Sequence, residues 1–312
     1  MNLKTAYEIY DKMIQIRMVE ESIVKEYSLQ EIRTPVHLYI GQEAIASAVS
    51  TNLTREDFIM SNHRSHGHCL AKGMDLEGFF KELYGKQGGV TRGWGGSMHL
   101  CDMSLGIAGT SAIVAGGIPI GAGIALKQKI KGEKNITVIY FGDGAVDEGV
   151  FWETVNFSAL MRLPVFFVME NNKYASQTSE VLRHSYKDVT KIIKNFGIPA
   201  YQVDGNDAVR VYETSRKIIK KIREGFGPHF IECGTFRMMG HVGVSDDTDT
   251  GYRTREEYDY WKSRCPIKLM ENYLRQRDTK SADNKIWHIK RKWSINIKNA
   301  LSNAKEARYA LD

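Results

Sequence analysis

Two polar residues at the ends of consecutive apolar runs place the strongest constraint on how this chain folds. The run 136–141 ends at the glycine-flanked Asp143, and after a helical stretch the run 165–169 ends close to Asn172. A strand, a helix and a parallel strand form one βαβ unit, whose two strands finish at the same edge of the sheet. We therefore expect Asp143 and Asn172 to lie side by side at the edge where open α/β sheets bind ligands.

The residue types at this edge are typical of a metal and phosphate site. A carboxylate, an amide oxygen and nearby backbone carbonyls are the hard oxygen ligands that Mg²⁺ or Ca²⁺ prefers. The turn between the strand and the helix exposes N–H groups that suit a phosphate. Asp143 taken alone is equally consistent with a helix N-cap, but Asn172 at the end of the next strand favours the ligand interpretation. The two strand ends together predict a metal–diphosphate site.

The segments around these strand ends also carry a resemblance to a known family. Gly-Asp-Gly followed by Asn-Asn is similar to the thiamine diphosphate signature. Residues 142–156 and 163–175 resemble the alpha subunit of the decarboxylating component of 2-oxo acid dehydrogenase complexes, a family that includes the pyruvate, branched-chain and acetoin enzymes. The resemblance spans residues 8 to 270, because further segments agree in order along the chain: 37–44, 64–67, 95–99, 113–119 and 237–253.

The resemblance implies an α/β protein, in which a parallel sheet flanked by helices forms the diphosphate-binding domain of the thiamine diphosphate-binding fold. We predict that this domain spans residues 31–262. One helical extension precedes it over residues 1–30, and a second follows it over residues 263–312. The length of 312 residues suffices for one large α/β core with such extensions.

Hydrophobic periodicity predicts the individual elements of this arrangement. The predicted helices cover 4–28, 42–53, 76–85, 119–131, 208–224 and most of the tail after 263, with a polar interruption at 277–285. Further strands are predicted at 200–204 and 230–236, and loops at 62–68, 88–99 and 237–257.

The resemblance implies which residues hold the cofactor, thiamine diphosphate, and its Mg²⁺. Asp143, the side chain of Asn172 and the backbone carbonyl of Tyr174 match the metal ligands of the family. Gly144 and Ala145 match donors to the diphosphate. The metal would thus join two neighbouring strand ends to the diphosphate.

Three residues outside the βαβ unit complete the expected cofactor site. Arg64 matches the diphosphate-binding arginine of the family, and its planar guanidinium suits phosphate oxygens. Ala112 and Val114 match positions that line the cofactor, with Val114 beside its aminopyrimidine. The neighbouring Ile113 is expected in the core because of its apolar character.

Three histidines are the catalytic candidates. Decarboxylation of a 2-oxo acid on the thiazolium carbon generates alkoxide and enolate-like charge, to which an imidazole can donate a hydrogen bond. A lone histidine is more often structural, but His241 lies in a segment that resembles the active-site loop of the family, and His37 lies in another matching segment. The resemblance places His66 near the diphosphate and the reacting centre.

The chain departs from the family pattern at three positions. Val242 follows His241 where some relatives carry a regulatory phosphorylated serine, so control by that route is not expected. Trp94 stands where relatives often have a basic residue, and Cys265 replaces a common aspartate. Contacts to the substrate near Trp94 are therefore expected to differ from those of relatives.

One group that thiamine chemistry requires is not among these residues. A glutamate must hydrogen-bond the aminopyrimidine, and in the family it comes from a separate domain of similar size. Because this chain has length for one such domain, the resemblance implies an obligate beta subunit in an α₂β₂ heterotetramer. The other expected partners are a lipoyl-bearing acyltransferase and a small 2-oxo acid or acetoin.

Several functions remain open at this level. An acetoin-cleaving enzyme shares the cofactor and the lipoyl acceptor, whereas a transketolase-like subunit would transfer the aldehyde unit to another carbonyl acceptor. A non-catalytic interaction module would not require Asp143, Asn172 and Arg64 together. A nicotinamide-dependent dehydrogenase is disfavoured, because no Gly-x-Gly-x-x-Gly follows an early strand with an acidic residue about 20 positions on.

Composition restricts the compartment and the remaining partners. The four cysteines form no Cys-x-x-Cys pair, which favours reduced thiols and a cytoplasmic location over a disulfide framework or a zinc site. No run approaches the ~20 apolar residues of a membrane span, so we expect no membrane association. The net charge of +6 is mild, and the basic stretch 285–298 is more typical of a solvated helical face than of a nucleic-acid site.

Overall fold

A six-stranded parallel sheet forms the centre of the computed structural model, which describes residues 1–32 and 34–310. Its strands are β1 (Phe58–Ser61), β2 (Ile107–Thr110), β3 (Thr137–Gly142), β4 (Val165–Asn171), β7 (Ala200–Asp204) and β8 (His229–Gly234). They follow the spatial order β2-β1-β3-β4-β8-β7, and every neighbouring pair is parallel. A short antiparallel hairpin of β5 (Tyr174–Ala175) and β6 (Thr178–Ser179) lies outside this sheet.

Helices flank the sheet and both ends of the chain. In the described residues they are α1 (Leu3–Tyr27), α2 (Glu43–Ser50), α3 (His66–Lys72), α4 (Leu76–Leu83), α5 (Gly117–Ile130), α6 (Gly149–Leu160), α7 (Glu180–Arg183), α8 (Val189–Asn195), α9 (Ala208–Arg223), α10 (Arg255–Ser263), α11 (Pro266–Arg277) and α12 (Ala282–Glu306). The predicted α/β fold, with a parallel sheet and helical ends, is confirmed.

The sheet is buried on both faces, which explains why its strands read as continuous apolar runs. Side chains alternate along each strand. Val138 and Tyr140 of β3 pack into one cluster with α1, α2, α3 and α9, whereas Ile139 and Phe141 pack into a second cluster with α5, α6 and α8. The two layers fix the sheet rigidly, so residues that follow its strands are held in defined positions.

The pairing of β3 with β4 brings the two predicted metal ligands to one edge. The register aligns Thr137 with Val165 and Gly142 with Glu170. Asp143 therefore follows directly after β3, and Asn172 follows directly after β4, at the carboxyl edge of the sheet. This is the arrangement expected from the βαβ pattern.

The first and last helices share a small core of their own. Ile9 and Met13 of α1 pack against Met270 and Leu274 of α11. Later residues of α1 belong instead to the cluster beneath the sheet. The division of the chain at residues 30 and 262 stays a prediction, because the terminal helices and the sheet domain are joined by continuous packing.

Several element predictions agree with the structure, and others differ for local reasons. The predicted strand at 200–204 is β7, and the predicted helix at 208–224 ends one residue earlier, at Arg223. The predicted loop at 62–68 is wrong in its second half, because α3 begins at His66. The helix predicted from Pro119 begins two residues earlier, which is possible because the first turn of a helix leaves its N–H groups unpaired and tolerates proline.

Among the described residues, the helices are either too short or too polar to traverse a lipid bilayer.

Candidate active site

The largest concentration of predicted site residues lies in a cavity of about 350 Å³ at the carboxyl edge of the sheet. Its walls come from the ends of β1, β3 and β4 and from the segment that follows β8. It is lined by ten of the eleven residues predicted for the site: His37, Arg64, Ala112, Val114, Asp143, Gly144, Ala145, Asn172, Tyr174 and His241. The fold therefore collects residues from distant parts of the chain at one place.

Asp143 is the most buried charged group of the cavity wall. Its side chain is 1% exposed, and burial raises the pKa of its carboxyl while the neighbouring Arg183 opposes that shift. The guanidinium of Arg183 donates to Asp143 and also to Asp147. A buried carboxylate requires a positive partner, and here Arg183 at the end of α7 supplies it.

Asn172 presents an amide oxygen next to Asp143 at the same edge. Its Nδ2 donates to Oε1 of Gln42 at 3.2 Å, which fixes the orientation of the amide. Its Oδ1 faces the backbone N–H of Tyr174 at 3.3 Å. The Tyr174 hydroxyl donates to Glu257 at 2.6 Å, so this residue is anchored from the far side. Asp143, Asn172 and Tyr174 thus line the same cavity, and hydrogen bonds fix the side chains of Asn172 and Tyr174.

The turn after β3 leaves no room for a larger residue. Asp143–Asp147 form a single 3-10 helix before α6 begins at Gly149, so Gly144 and Ala145 lie in that turn and not in α6 itself. A Cβ atom at Gly144 would approach the Cβ of Ala175 to 2.8 Å. Gly144 lines the cavity and has no side chain, so a phosphate can approach its backbone closely.

Arg64 carries a buried charge that faces the cavity. Its side chain is 4% exposed, and its Nη1 and Nη2 donate to the carbonyls of Leu38 at 2.7 Å and His241 at 3.0 Å. Burial, with Arg237 nearby, lowers the pKa of Arg64 to about 9, so the group stays charged at neutral pH. In the described part of the chain no carboxylate forms an ion pair with it, and an anionic ligand would compensate its charge.

Three histidine rings converge beside Arg64. The ring centroids of His37, His63 and His241 lie 4.6 to 5.3 Å apart, each pair edge to face. Burial, with a further contribution from Arg64, lowers the pKa of His37 to about 3, of His63 to about 2 and of His241 to about 4. All three imidazoles are therefore neutral near pH 7.

His63 was not among the residues predicted from the sequence. It is the second residue after β1, which ends at Ser61, and Asp143 is the first residue after β3. The rule that ligands bind at the carboxyl edge of a parallel sheet applies to every strand. For the run 58–61, this rule indicates His63 as a further candidate.

His66 is the one predicted site residue that does not line the cavity, and its expected place near the reacting centre stays a prediction. Its side chain is fully buried at the start of α3, with Nδ1 3.2 Å from Oε1 of Glu20 and Nε2 2.8 Å from Oγ of Ser97. Its ring also packs edge to face on Phe79. The helix begins at His66 and turns this side chain towards α1, so its contacts are structural.

Apolar side chains are exposed at the cavity-lining Val114 and at two residues close to it in the chain. Ile113, predicted in the core, is 71% exposed, and that prediction is wrong. Val114 beside it is 46% exposed, and Ile120 on α5 is 55% exposed. Exposed apolar residues at a functional site mark a surface for another molecule.

Glu170 adds a second buried acid to the cavity wall. It accepts a hydrogen bond from the Tyr39 hydroxyl, and its Oε1 lies 3.0 Å from Nε2 of His68. Nδ1 of His68 lies 2.8 Å from Oγ of Ser61. This network ties β1 to β4 and holds the wall between the histidines and Asn172.

The fold and the cavity define an α/β protein whose cavity is lined by the carboxylate of Asp143, the amide of Asn172 and the guanidinium of Arg64. Comparison with known protein families assigns the chain to one family. The chain matches the family described as dehydrogenase E1 component over residues 11–311 and belongs to that family. Members of the family depend on thiamine diphosphate, so the resemblance stated for the sequence is confirmed.

Several relatives are named as the alpha subunit of an enzyme. The alpha subunit of acetoin:2,6-dichlorophenolindophenol oxidoreductase from Bacillus subtilis (strain 168) is 38% identical over 306 residues, covering 97% of this chain and 90% of the relative. Its counterpart from Cupriavidus necator is 40% identical over 256 residues, covering 82% and 76%. The alpha subunit of the pyruvate dehydrogenase E1 component from Rhizobium meliloti is 37% identical over 254 residues, covering 81% and 72%.

Proposed function

We propose that this chain is the alpha subunit of a 2-oxo acid dehydrogenase that depends on thiamine diphosphate and Mg²⁺. It would decarboxylate pyruvate or a similar 2-oxo acid together with a beta subunit and transfer the acyl group to a lipoyl domain. The observation that carries the proposal is the single cavity in which Asp143, Asn172, Arg64, His37 and His241 meet. Family membership supports the same function.

In this proposal Mg²⁺ is held by Asp143, the amide oxygen of Asn172 and the backbone carbonyl of Tyr174. The donors are hard oxygens, which Mg²⁺ prefers, and the remaining ligands are phosphate oxygens and water. The fit is supported by the burial of Asp143 and by the hydrogen bond from Asn172 to Gln42, which presents the amide oxygen. Arg64 and the backbone N–H groups of Gly144 and Ala145 would bind the diphosphate.

The bound cofactor supplies a nucleophilic carbon that accepts electrons when the carboxylate of the substrate leaves. The protein residues bind and orient the substrate around that carbon. His37 and His241 are neutral near pH 7, so each can donate one N–H to a developing oxyanion without a net charge. The positive charge of Arg64 beside them favours an anionic substrate in the same space.

A beta subunit is part of the proposal, because the cavity-lining Val114 and its neighbours along the chain, Ile113 and Ile120, are exposed. These apolar side chains are exposed, and a second subunit that covers them would bring its own residues to the aminopyrimidine end of the cofactor. That subunit would contribute the activating glutamate in an α₂β₂ assembly. A lipoyl-bearing acyltransferase and a cytoplasmic location remain expectations of the same proposal.

Acetoin cleavage is the second candidate function. The relative from Bacillus subtilis, whose name refers to acetoin, covers 97% of this chain. The two functions share the cofactor and the acceptor but differ in the first bond that breaks. Pyruvate loses CO₂, whereas acetoin is split between two carbon atoms without release of CO₂.

The test is a product analysis of the chain co-purified with its beta subunit. The complex is incubated with pyruvate or with acetoin, with and without a lipoyl acceptor, and CO₂ and acetaldehyde are measured. The proposal expects the complex to consume pyruvate or acetoin only when thiamine diphosphate and Mg²⁺ are present. Asp143→Asn should abolish it, whereas the exposed Glu153→Gln on α6 should not. Robust turnover by the chain alone, or by Asp143→Asn, would contradict the proposal.

A further inference from the structure

The three histidines of the cavity bring three ring nitrogens together from three separate segments. His37 precedes α2, His63 follows β1, and His241 lies in the segment between β8 and α10. One nitrogen of each ring lies within 4.8 Å of the corresponding nitrogens of the other two. Three imidazoles that converge in this way can share one metal ion, because imidazole nitrogen is a ligand of transition metals.

In the described part of the chain these rings have no hydrogen-bond partner in the protein. His37 is only 7% exposed, and its buried Nδ1 makes no hydrogen bond. Within residues 1–32 and 34–310, neither His63 nor His241 makes a side-chain hydrogen bond. Because burial keeps the pKa of all three well below 7, each ring retains a free lone pair. A neutral imidazole is the form that binds metals.

We propose that His37, His63 and His241 form a second metal site, selective for a transition metal ion such as Zn²⁺ and distinct from the oxygen ligands at Asp143. Imidazole suits Zn²⁺, Cu²⁺ and Ni²⁺, whereas carboxylate and carbonyl oxygens suit Mg²⁺. The two ligand sets therefore select different ions within one cavity.

The geometry defines an open, exchangeable site. Tetrahedral Zn²⁺ with Zn–N bonds of about 2.0–2.1 Å requires nitrogens about 3.3 Å apart, so the rings must close by roughly 1.5 Å. The fourth position faces the cavity and takes water or an anion. The guanidinium groups of Arg64 and Arg237 lie close enough to lower the histidine pKa values, so they also repel a bare cation. An anionic fourth ligand offsets that repulsion.

The site has a functional consequence. An ion at the three histidines takes the nitrogens that His37 and His241 would present to the substrate. It also fills space next to Arg64, where the diphosphate is expected. A transition metal ion therefore acts as a reversible inhibitor of the chemistry in this cavity, and removal of the ion by a chelator restores activity.

The first test is Co²⁺ binding to the purified full chain, because tetrahedral Co²⁺ with nitrogen ligands absorbs visible light far more strongly than octahedral Co²⁺. We expect an intense visible band that saturates at one ion per chain and is displaced by Zn²⁺. His63→Asn and His241→Asn should each remove the band or weaken Co²⁺ binding by about tenfold or more. His288→Asn, at an exposed histidine of α12, and Asp143→Asn should leave the band unchanged.

Two outcomes would overturn the proposal. One is an intense band that persists in both His63→Asn and His241→Asn. The other is a weak, octahedral spectrum that disappears in Asp143→Asn, which would assign the ion to the oxygen ligands. The measurement requires no substrate or beta subunit, so it succeeds or fails independently of the proposed decarboxylation.

Discussion

The guanidinium of Arg183 donates to the carboxylate of Asp143, the residue proposed to bind Mg²⁺. Arg183 ends the short helix α7, and it also pairs with Asp147, whose other oxygen lies 2.6 Å from Nε2 of His184. Charged contacts thus tie the end of α7 to the turn that follows β3. A guanidinium and a divalent cation compete for the same carboxylate, so metal binding requires Arg183 to move or to share its partner.

This competition predicts that Arg183→Ala binds Mg²⁺ and thiamine diphosphate more tightly than the wild type. Loss of one charge-assisted hydrogen bond of roughly 1.5 kcal/mol corresponds to about a tenfold lower Mg²⁺ concentration at half-saturation. The same variant should melt at a lower temperature without ligands, because Asp143 keeps a buried charge with no partner. Calorimetric titration of Mg²⁺ at fixed cofactor concentration gives the first quantity, and thermal unfolding gives the second.

The matched control for this experiment is Arg210→Ala on the exposed face of α9. It removes the same charge from the chain but lies far from Asp143 in the sequence and makes no ion pair within the described residues. It should change neither Mg²⁺ affinity nor melting temperature appreciably. A weaker Mg²⁺ affinity in Arg183→Ala would show that Arg183 assists the diphosphate and does not compete with the metal.

The depressed histidine pKa values predict loss of stability in acid. His37 has a pKa of about 3 in the folded protein, well below the ordinary value of 6.5. The unfolded chain therefore binds the proton first, and stability is full above pH 6.5 and falls as the pH drops towards the folded pKa. Between pH 7 and pH 5 this group alone costs about 2 kcal/mol.

Urea unfolding at the two pH values measures this loss. His37→Gln should show a smaller difference in the free energy of unfolding between pH 7 and pH 5 than the wild type. His288→Gln, at an exposed ring of α12, should retain the full difference. An equal pH dependence in wild type and His37→Gln would mean that His37 is not buried in its neutral form.

Two glycines in helices should respond to alanine in opposite directions. A Cβ atom at Gly67 in α3 would overlap the ring of Tyr39, which is itself fixed by its hydrogen bond to Glu170. Gly67→Ala should therefore destabilise the chain by roughly 1–3 kcal/mol. Gly123 in α5 has open space around its Cα, so Gly123→Ala should stabilise the chain by about 0.5–1 kcal/mol. Thermal or urea unfolding of the two variants decides between these signs, and a neutral Gly67→Ala would contradict the packing at Tyr39.

The sequence predicts those parts of the site that depend on local pattern and regular topology. Asp143 and Asn172 follow apolar strands of one βαβ unit, so their proximity follows from the register of β3 and β4. Arg183 could not be predicted in the same way. It reaches Asp143 through the β5–β6 hairpin and α7, which have no periodic pattern and are positioned by tertiary contacts.

The histidines and Ile113 show two further limits. His63 and His66 share one motif, and which ring enters the cavity depends on the residue at which α3 begins. The N-cap residue, Ser65, makes no side-chain capping hydrogen bond that would fix this start. Ile113 is apolar like a core residue, but exposed positions also carry apolar residues, so its exposure is visible only in the structure.

The exposed apolar residues near Val114 give a test of the beta subunit that is independent of catalysis. Ile120 on α5, six positions after the cavity-lining Val114, is 55% exposed, so Ile120→Glu should leave the stability of the chain itself unchanged within about 0.5 kcal/mol. In the assembly the same glutamate would be buried without a partner, which should reduce co-purification with the beta subunit by at least tenfold and thereby abolish activity. Ile130 is the matched control, because it is 76% exposed at the far end of the same helix. Normal assembly of Ile120→Glu would mean that the interface with the beta subunit lies elsewhere. An equal loss of assembly in Ile130→Glu would mean that the interface extends along the whole of α5. Either result would contradict a beta subunit that binds specifically around Ile120.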